Sequence, residues 1–161
     1  YGGINLHNGN YNNEYYLKSR QAISPFSKIF RSYYNQTLRE SKPTLSIKAL
    51  LATEQRFPGI GNGTLQDILL YAKIHPKRKL ESLSDNEKDR LFDNIVSVLK
   101  DISANGGRDT EKDLYGNNGG YQSKLSRLTY GSGCPNCNGF IVKENYLGGA
   151  IYFCPHCQSL N

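Results

Sequence analysis

The stretch CPNCNGFIVKENYLGGAIYFCPHCQ, residues 134–158, holds all four cysteines of a 161-residue chain. They stand at Cys134, Cys137, Cys154 and Cys157, in the spacing C-x2-C-x16-C-x2-C. Two cysteines two residues apart can turn both sulfurs toward one small ion, and a second pair on the other arm of a hairpin completes a tetrahedral four-thiolate site that suits Zn²⁺. Two disulfides, or two redox pairs, are the rival readings. Disulfides call for an oxidising compartment, and no export signal opens the chain. A redox pair would follow a βαβ pattern, which is missing before Cys134. His156 lies inside the second pair, where four thiolates already fill the shell, so it reads as a solvent-facing imidazole. Between the pairs, Phe140–Val142 and Ala150–Phe153 read as two strands, with Asn145–Gly149 as the turn. A hairpin of roughly 25 residues has no core of its own, so metal binding would supply much of its folding free energy.

Upstream of the hairpin the periodicity is helical. Apolar residues recur at helical spacing over 25–40 (Phe26, Ile29, Phe30, Tyr33, Tyr34, Leu38), 45–55 (Leu45, Ile47, Leu50, Leu51) and 63–73 (Leu65, Ile68, Leu69, Ala72). The fourth helix, 85–104, opens on a Ser84/Glu87 capping box, buries Leu91, Ile95, Val98, Leu99 and Ile102, and ends at Gly106-Gly107. Each apolar stripe is read as core. Residues 1–20 read as one or two Tyr-rich strands, and 105–121 (NGGRDTEKDLYGNNGGY) as a mobile Gly/Asn-rich loop. There is no internal repeat and no run of 18 apolar residues, which excludes a transmembrane helix.

Hydrophobic residues make up 37% of the chain and charged residues 21%, which suits one ordinary domain or two small ones. The net charge of +6 is uneven: +3 over 1–40, +5 over 41–80, −3 over 81–104 and +1 over 105–161. A basic block beside an acidic helix suggests one face aimed at a polyanion and one at water; a merely solvated basic face is the plain alternative. The chain contains no methionine, even at position 1, and is therefore expected to be a piece of a longer protein.

Between the second and third helices lies Phe57-Pro58-Gly59-Ile60-Gly61-Asn62-Gly63. Three glycines allow a tight reversal with backbone N–H groups exposed, and the next helix starts at once with its positive dipole end outward. That arrangement suits phosphate. Glycines serve many helical hairpins, but here Lys73, Lys77, Arg78 and Lys79 follow one helix later, and the four-cysteine hairpin follows those.

From Leu50 to Gln158 these stretches resemble, in order, the C-terminal half of the Fpg/Nei family, formamidopyrimidine-DNA glycosylase and endonuclease VIII. ATEQRFPGIGNGTLQDILLYAKIHPKRK (52–79) resembles the family's helix-two-turns-helix motif. GGRDTEKDLYGNNGGYQSKLSRLTYGSG (106–133) resembles its long loop and approach to the finger, and CPNC…IYFCPHCQ resembles the finger, Gln158 included. The implied fold is mainly α: a helix-two-turns-helix bundle over 25–121, then a zinc-finger hairpin over 122–161. Residues 1–24 would be the last strands of an N-terminal β-sandwich.

The resemblance implies the DNA-binding part of a base-excision-repair glycosylase and AP lyase that flips a damaged nucleotide out of duplex DNA and attacks it with an N-terminal proline, assisted by a glutamate. Positions 1 and 2 are Tyr1 and Gly2, so this chain alone is expected to be inactive. Carried over by residue, Asn62 contacts the DNA backbone while Gly59, Gly61 and Gly63 admit it. Lys77, Arg78, Lys79 and Lys143 are phosphate contacts, Cys134, Cys137, Cys154 and Cys157 hold one structural Zn²⁺, and loop 106–121 covers the flipped base. Tyr1-Gly2 matches an aromatic-glycine pair that fills the gap in the duplex. The plain alternatives are a helix N-cap for Asn62, a solubilising run for Lys77–Lys79 and a linker for the loop. A monomer in the bacterial cytosol or nucleoid is expected, with duplex DNA as partner and no membrane.

One position departs from the family. Its hairpin presents an arginine five residues before the third cysteine, and here that residue is Gly149, with Lys143 the only base between Cys134 and Cys157. A lone lysine lacks the bidentate grip of a guanidinium. Two readings of the whole protein follow: a divergent glycosylase with altered lesion choice, or a relative that binds damage without processing it. A zinc-ribbon protein of transcription or translation would lack the Pro58-Gly59-Ile60-Gly61-Asn62 turn. A helix-hairpin-helix protein would lack the terminal four-cysteine hairpin.

Overall fold

A computed structural model of the chain describes residues 6, 8, 9 and 11–160. Five α-helices precede one antiparallel hairpin: α1 Glu14–Arg20, α2 Phe30–Glu40, α3 Ile47–Ala52, α4 Asn62–Ala72, α5 Asp85–Ala104, then β1 Val142–Tyr146 and β2 Gly149–Phe153. The first helix corrects, over residues 14–20, the sequence reading of 1–20 as strands. Asn13 caps it by accepting the Tyr16 N–H at 3.2 Å, and Glu14 pairs with Lys18 one turn on at 2.9 Å. These local terms outweigh the β-propensity of the tyrosines. Residues 6, 8, 9 and 11–13 lie in no strand, so no sandwich remnant is present among the described residues. Tyr1 and Gly2 lie outside them.

The other four helices overlap the predicted stripes, but α2 begins at Phe30 rather than 25, and Phe26 and Ile29, read as core, are exposed. The third is shorter than 45–55, because Glu54 and Gln55 both adopt left-handed backbone, with φ of 54° and 50°. Two turns fill the gap before α4. The Arg56 N–H closes the first on Thr53 O, and the Ile60 N–H closes the second on Phe57 O at 3.1 Å. Pro58 and Gly59 occupy the centre of the second, where Gly59 at φ 92° meets the positive φ such a turn demands. The helix-two-turns-helix is thus literal. Its first half is secured by Arg56, whose guanidinium donates to Thr53 O at 3.2 Å across the end of α3.

Helix α4 is buried on nearly every side. Leu65, Ile68, Leu69 and Ala72 face the helical core with Phe30, Tyr34, Leu50, Leu91 and Ile95. Leu70 instead joins Leu125, Ile141, Tyr152, Cys134 and Cys154 beneath the finger. One helix therefore belongs to both cores, as an all-round apolar helix must. The capping box of α5 is present, with the Glu87 N–H on Ser84 Oγ at 3.2 Å and the Ser84 N–H on Glu87 Oε2 at 2.9 Å.

The hairpin pairs Val142 with Phe153 through Tyr146 with Gly149. Its turn is only Leu147-Gly148, at φ 49° and 73°, so β1 begins later and runs further than the sequence reading placed it. Positive φ at both central residues matches the strands' twist.

Candidate functional site

The four cysteines converge at the base of the hairpin, all Sγ atoms lying within 4.8 Å of one another. Cys134 and Cys157 are 3.8 Å apart, Cys137 and Cys154 3.5 Å, so neither pair is a disulfide. Backbone N–H groups of Asn136 and Cys157 point at the sulfurs of Cys134 and Cys154, both at 3.4 Å. The Gly139 N–H beside Cys137 draws its thiol down to about 6, whereas burial pushes Cys154 and Cys157 up. Four soft sulfurs at this separation could hold one metal ion. His156 is exposed.

The finger is bolted to α4 by polar contacts that periodicity could not reveal. Gln66, 2% exposed, donates to Ala150 O at 3.0 Å and accepts the Tyr152 N–H at 3.1 Å. Asn62 donates to the same Ala150 O at 2.9 Å. Gln158, fully buried, accepts the Cys154 N–H and donates to Ile74 O, each at 3.0 Å. The buried Lys48 amine binds Tyr146 O and Gly149 O near the hairpin tip, and burial lowers its pKa. His75 packs against Phe153, ring centroids 4.2 Å apart, and burial lowers its pKa too.

Of the residues singled out from sequence, Gly59, Gly61, Asn62 and Gly63 gather at the start of α4, beside Gly149. Gly61 is the N-cap, extended at φ −95°, and no side chain caps the helix. Asn62 is therefore the first helical residue, not the cap. The first-turn N–H groups have no intrahelical partner. A cleft of about 830 Å³ opens beside them, bordered by Tyr15, Lys18, Glu54, Gln55, Pro58 and Gly59.

The basic residues diverge. Lys77 is paired with Glu144 and lies 5.4 Å from the Tyr146 ring. Arg78 is turned away onto the N-terminus of α5, where it pairs with Glu87, donates to Ser82 O at 2.6 Å and draws the Glu87 carboxyl down to about 2. Lys79 and Lys143 are exposed.

Residues 105–121 form a hydrogen-bonded loop. Asp109 N–H meets Tyr121 O at 2.8 Å, Tyr121 N–H meets Gly107 O at 3.0 Å, and Gly120 N–H meets Asn105 O at 2.8 Å. Buried Asp67 on α4 anchors its end, accepting the Tyr121 hydroxyl and Lys124 N–H at 2.9 Å and the Leu125 N–H at 2.8 Å. Burial raises the pKa of both Asp67 and Tyr121. The loop also delivers Arg108 onto Gly63, a contact the sequence analysis did not anticipate. A glycine inside a helical stripe was the available signal.

This arrangement defines a helix-two-turns-helix protein whose central helix seats a four-thiol hairpin. No family model matches the chain. The formamidopyrimidine-DNA glycosylase of Prochlorococcus marinus strain NATL1A is 33% identical over 143 residues, 86% of this chain and 50% of that protein. The strain MIT 9301 protein of the same name is 38% identical over 140 residues, 83% of this chain and 47% of that one. Among solved structures, Lactococcus lactis Fpg in complex with abasic-site DNA superposes with a TM-score of 0.76 at 28% identity, covering 90% of this chain and 53% of that one. The MutM (Fpg) protein of Thermus thermophilus gives 0.74 at 26%, covering 87% and 54%. The chain spans about half the length of the curated relatives it matches. In sequence and in fold it corresponds to the C-terminal half of formamidopyrimidine-DNA glycosylases. Among the described residues, no helix is long and apolar enough to cross a membrane.

Proposed function

We propose that the chain is the DNA-gripping part of a base-excision-repair glycosylase and AP lyase, acting on damaged duplex DNA in the bacterial cytosol or nucleoid as a monomer. One observation carries the reading. The uncapped N-terminus of α4 and the finger hairpin are joined into one surface by Asn62 and Gln66, both on Ala150 O. The same architecture occurs in Lactococcus Fpg, a protein crystallised with abasic-site DNA and with FAPY-dG DNA. A phosphate at the α4 N-terminus would receive the first-turn N–H groups and the second amide proton of Asn62, an exposed residue. Gly61 and Gly59 keep the approach open. Exposed Lys79, and Lys143 beside the Tyr152 ring, add further phosphate contacts, while Lys77 and Arg78, already matched by Glu144 and Glu87, hold the hairpin and α5 in place.

Zinc is the metal that the four thiolates suit, in a closed site whose task is structural. It would fix the hairpin base, so that residues 122–161 act as the finger and residues 25–121 as the helical grip.

Fluorescence anisotropy with a duplex carrying one tetrahydrofuran abasic analogue tests the proposal. Affinity should fall steeply between about 50 and 200 mM salt, since each neutralised phosphate contributes a slope of about −0.9. Asn62→Ala should weaken binding by about 1–3 kcal/mol. A flat salt response would overturn the reading.

A further inference from the structure

We propose that Arg108 is a phosphate-gripping cation of the α4 N-terminus, seated there by Gly63, and that it takes over from the arginine absent at Gly149. The inference rests on the DNA-binding reading above. A side chain at Gly63 would collide with the Arg108 guanidinium: an added Cβ would lie 2.8 Å from Cζ and 2.9 Å from Nη2. Glycine at position 63 is thus a seat for that guanidinium against the first turn of α4. The Arg108 side chain is only 8% exposed. Its one hydrogen-bonded partner among the described residues is Glu111, an ion pair at 3.2 Å from Nη1 in which the glutamate side chain is 62% exposed, so that a phosphate can replace it. Nε and Nη2 make no hydrogen bond there.

A cation against a helix N-terminus is opposed by the macrodipole, and the arrangement becomes favourable when an anion joins the two. Arg108 also lies within Coulombic reach of buried Asp67 and favours its charged form. That carboxylate already accepts three hydrogen bonds and makes none with Arg108. The mount is firm, since Gly107 and Asp109 on either side of Arg108 both bond Tyr121, which is itself tied to Asp67. On the other flank of the same turn, a Cβ at Gly149 would lie 3.2 Å from the Asn62 amide nitrogen. Two glycines therefore border the first turn of α4, one where the finger arginine is missing and one that admits a guanidinium from the opposite loop.

The test is a salt series of duplex binding by the zinc-loaded 161-residue chain, using the tetrahydrofuran duplex, with thermal melting of each variant as the folding control. Arg108→Gln should weaken binding about tenfold at about 100 mM salt and make the log–log salt slope shallower by about 0.9. Arg108→Lys should keep the slope and recover only part of the affinity. Gly149→Arg added to Arg108→Gln should restore the slope. If Arg108→Gln fails to fold, Gly63→Ala is read instead, and it should reproduce the loss by displacing the guanidinium. A wild-type chain with a normal salt slope and an unchanged Arg108→Gln would overturn this assignment alone. A wild-type chain without salt-dependent binding would overturn it together with the DNA-binding reading.

Discussion

Replacing Gln66 by Leu tests the joint between α4 and the finger. The side chain is 2% exposed and bridges two backbone groups of β2. Leucine leaves the Tyr152 N–H without its partner, at about 1–3 kcal/mol, and removes one of two donors to Ala150 O, at about 1 kcal/mol. Some of that returns through the extra apolar burial, so a net loss of about 2–3 kcal/mol is expected. For a domain of this size that lowers Tm by roughly 4–12 °C. Asn62→Ala alone should cost about 1 kcal/mol, because Gln66 still serves Ala150 O. Together the changes strip that carbonyl of both donors, and the double variant should lose about 1 kcal/mol more than the sum. Calorimetric melting of the zinc-loaded wild type, both single variants and the double completes the cycle. Additive losses, or a Gln66→Leu cost under about 0.5 kcal/mol, would refute the joint.

Glu87 should stabilise the fold in a pH-dependent way. Its carboxyl drops from 4.5 to about 2 because Arg78 hydrogen-bonds it, so the contribution is complete above 4.5 and disappears as pH falls through about 2. The pair is partly exposed, which discounts the effect to about 1–2 kcal/mol, and Glu87→Gln should flatten the acid limb of urea-midpoint curves by that amount. Chelation should release one zinc per chain, measured by a colorimetric dye, and lower Tm by more than about 5 °C while the helical circular dichroism at low temperature survives. Gly59→Ala, at φ 92°, should cost about 1 kcal/mol or more in urea unfolding, because alanine is strained there.

Periodicity and the cysteine spacing made most of the fold legible. The stripes of α2, α4 and α5 and the Ser84/Glu87 box are local signals, and C-x2-C twice over admits few geometries. The failures have physical causes as well. The tyrosines of 11–16 suggested strands, yet the Asn13 cap and the Glu14–Lys18 pair decide for helix. The hairpin turn was set one step off because Leu147, not a second glycine, takes the first left-handed position. Lys77 and Arg78 read as a free basic run because their acidic partners, Glu144 and Glu87, lie 67 and 9 residues away, beyond any local pattern. Gln66, Lys48 and Arg108 act only through tertiary contacts. Of these, only Arg108 leaves a trace in sequence, as the glycine it requires at position 63.

Amide chemical-shift mapping during titration with a short abasic-analogue duplex tests the central claim most directly. The account predicts that the largest shifts fall on residues 59–64, on Arg108 and on the hairpin around Gly149, with the α5 face unmoved. Shifts centred on α2 or α5, with the start of α4 silent, would contradict it.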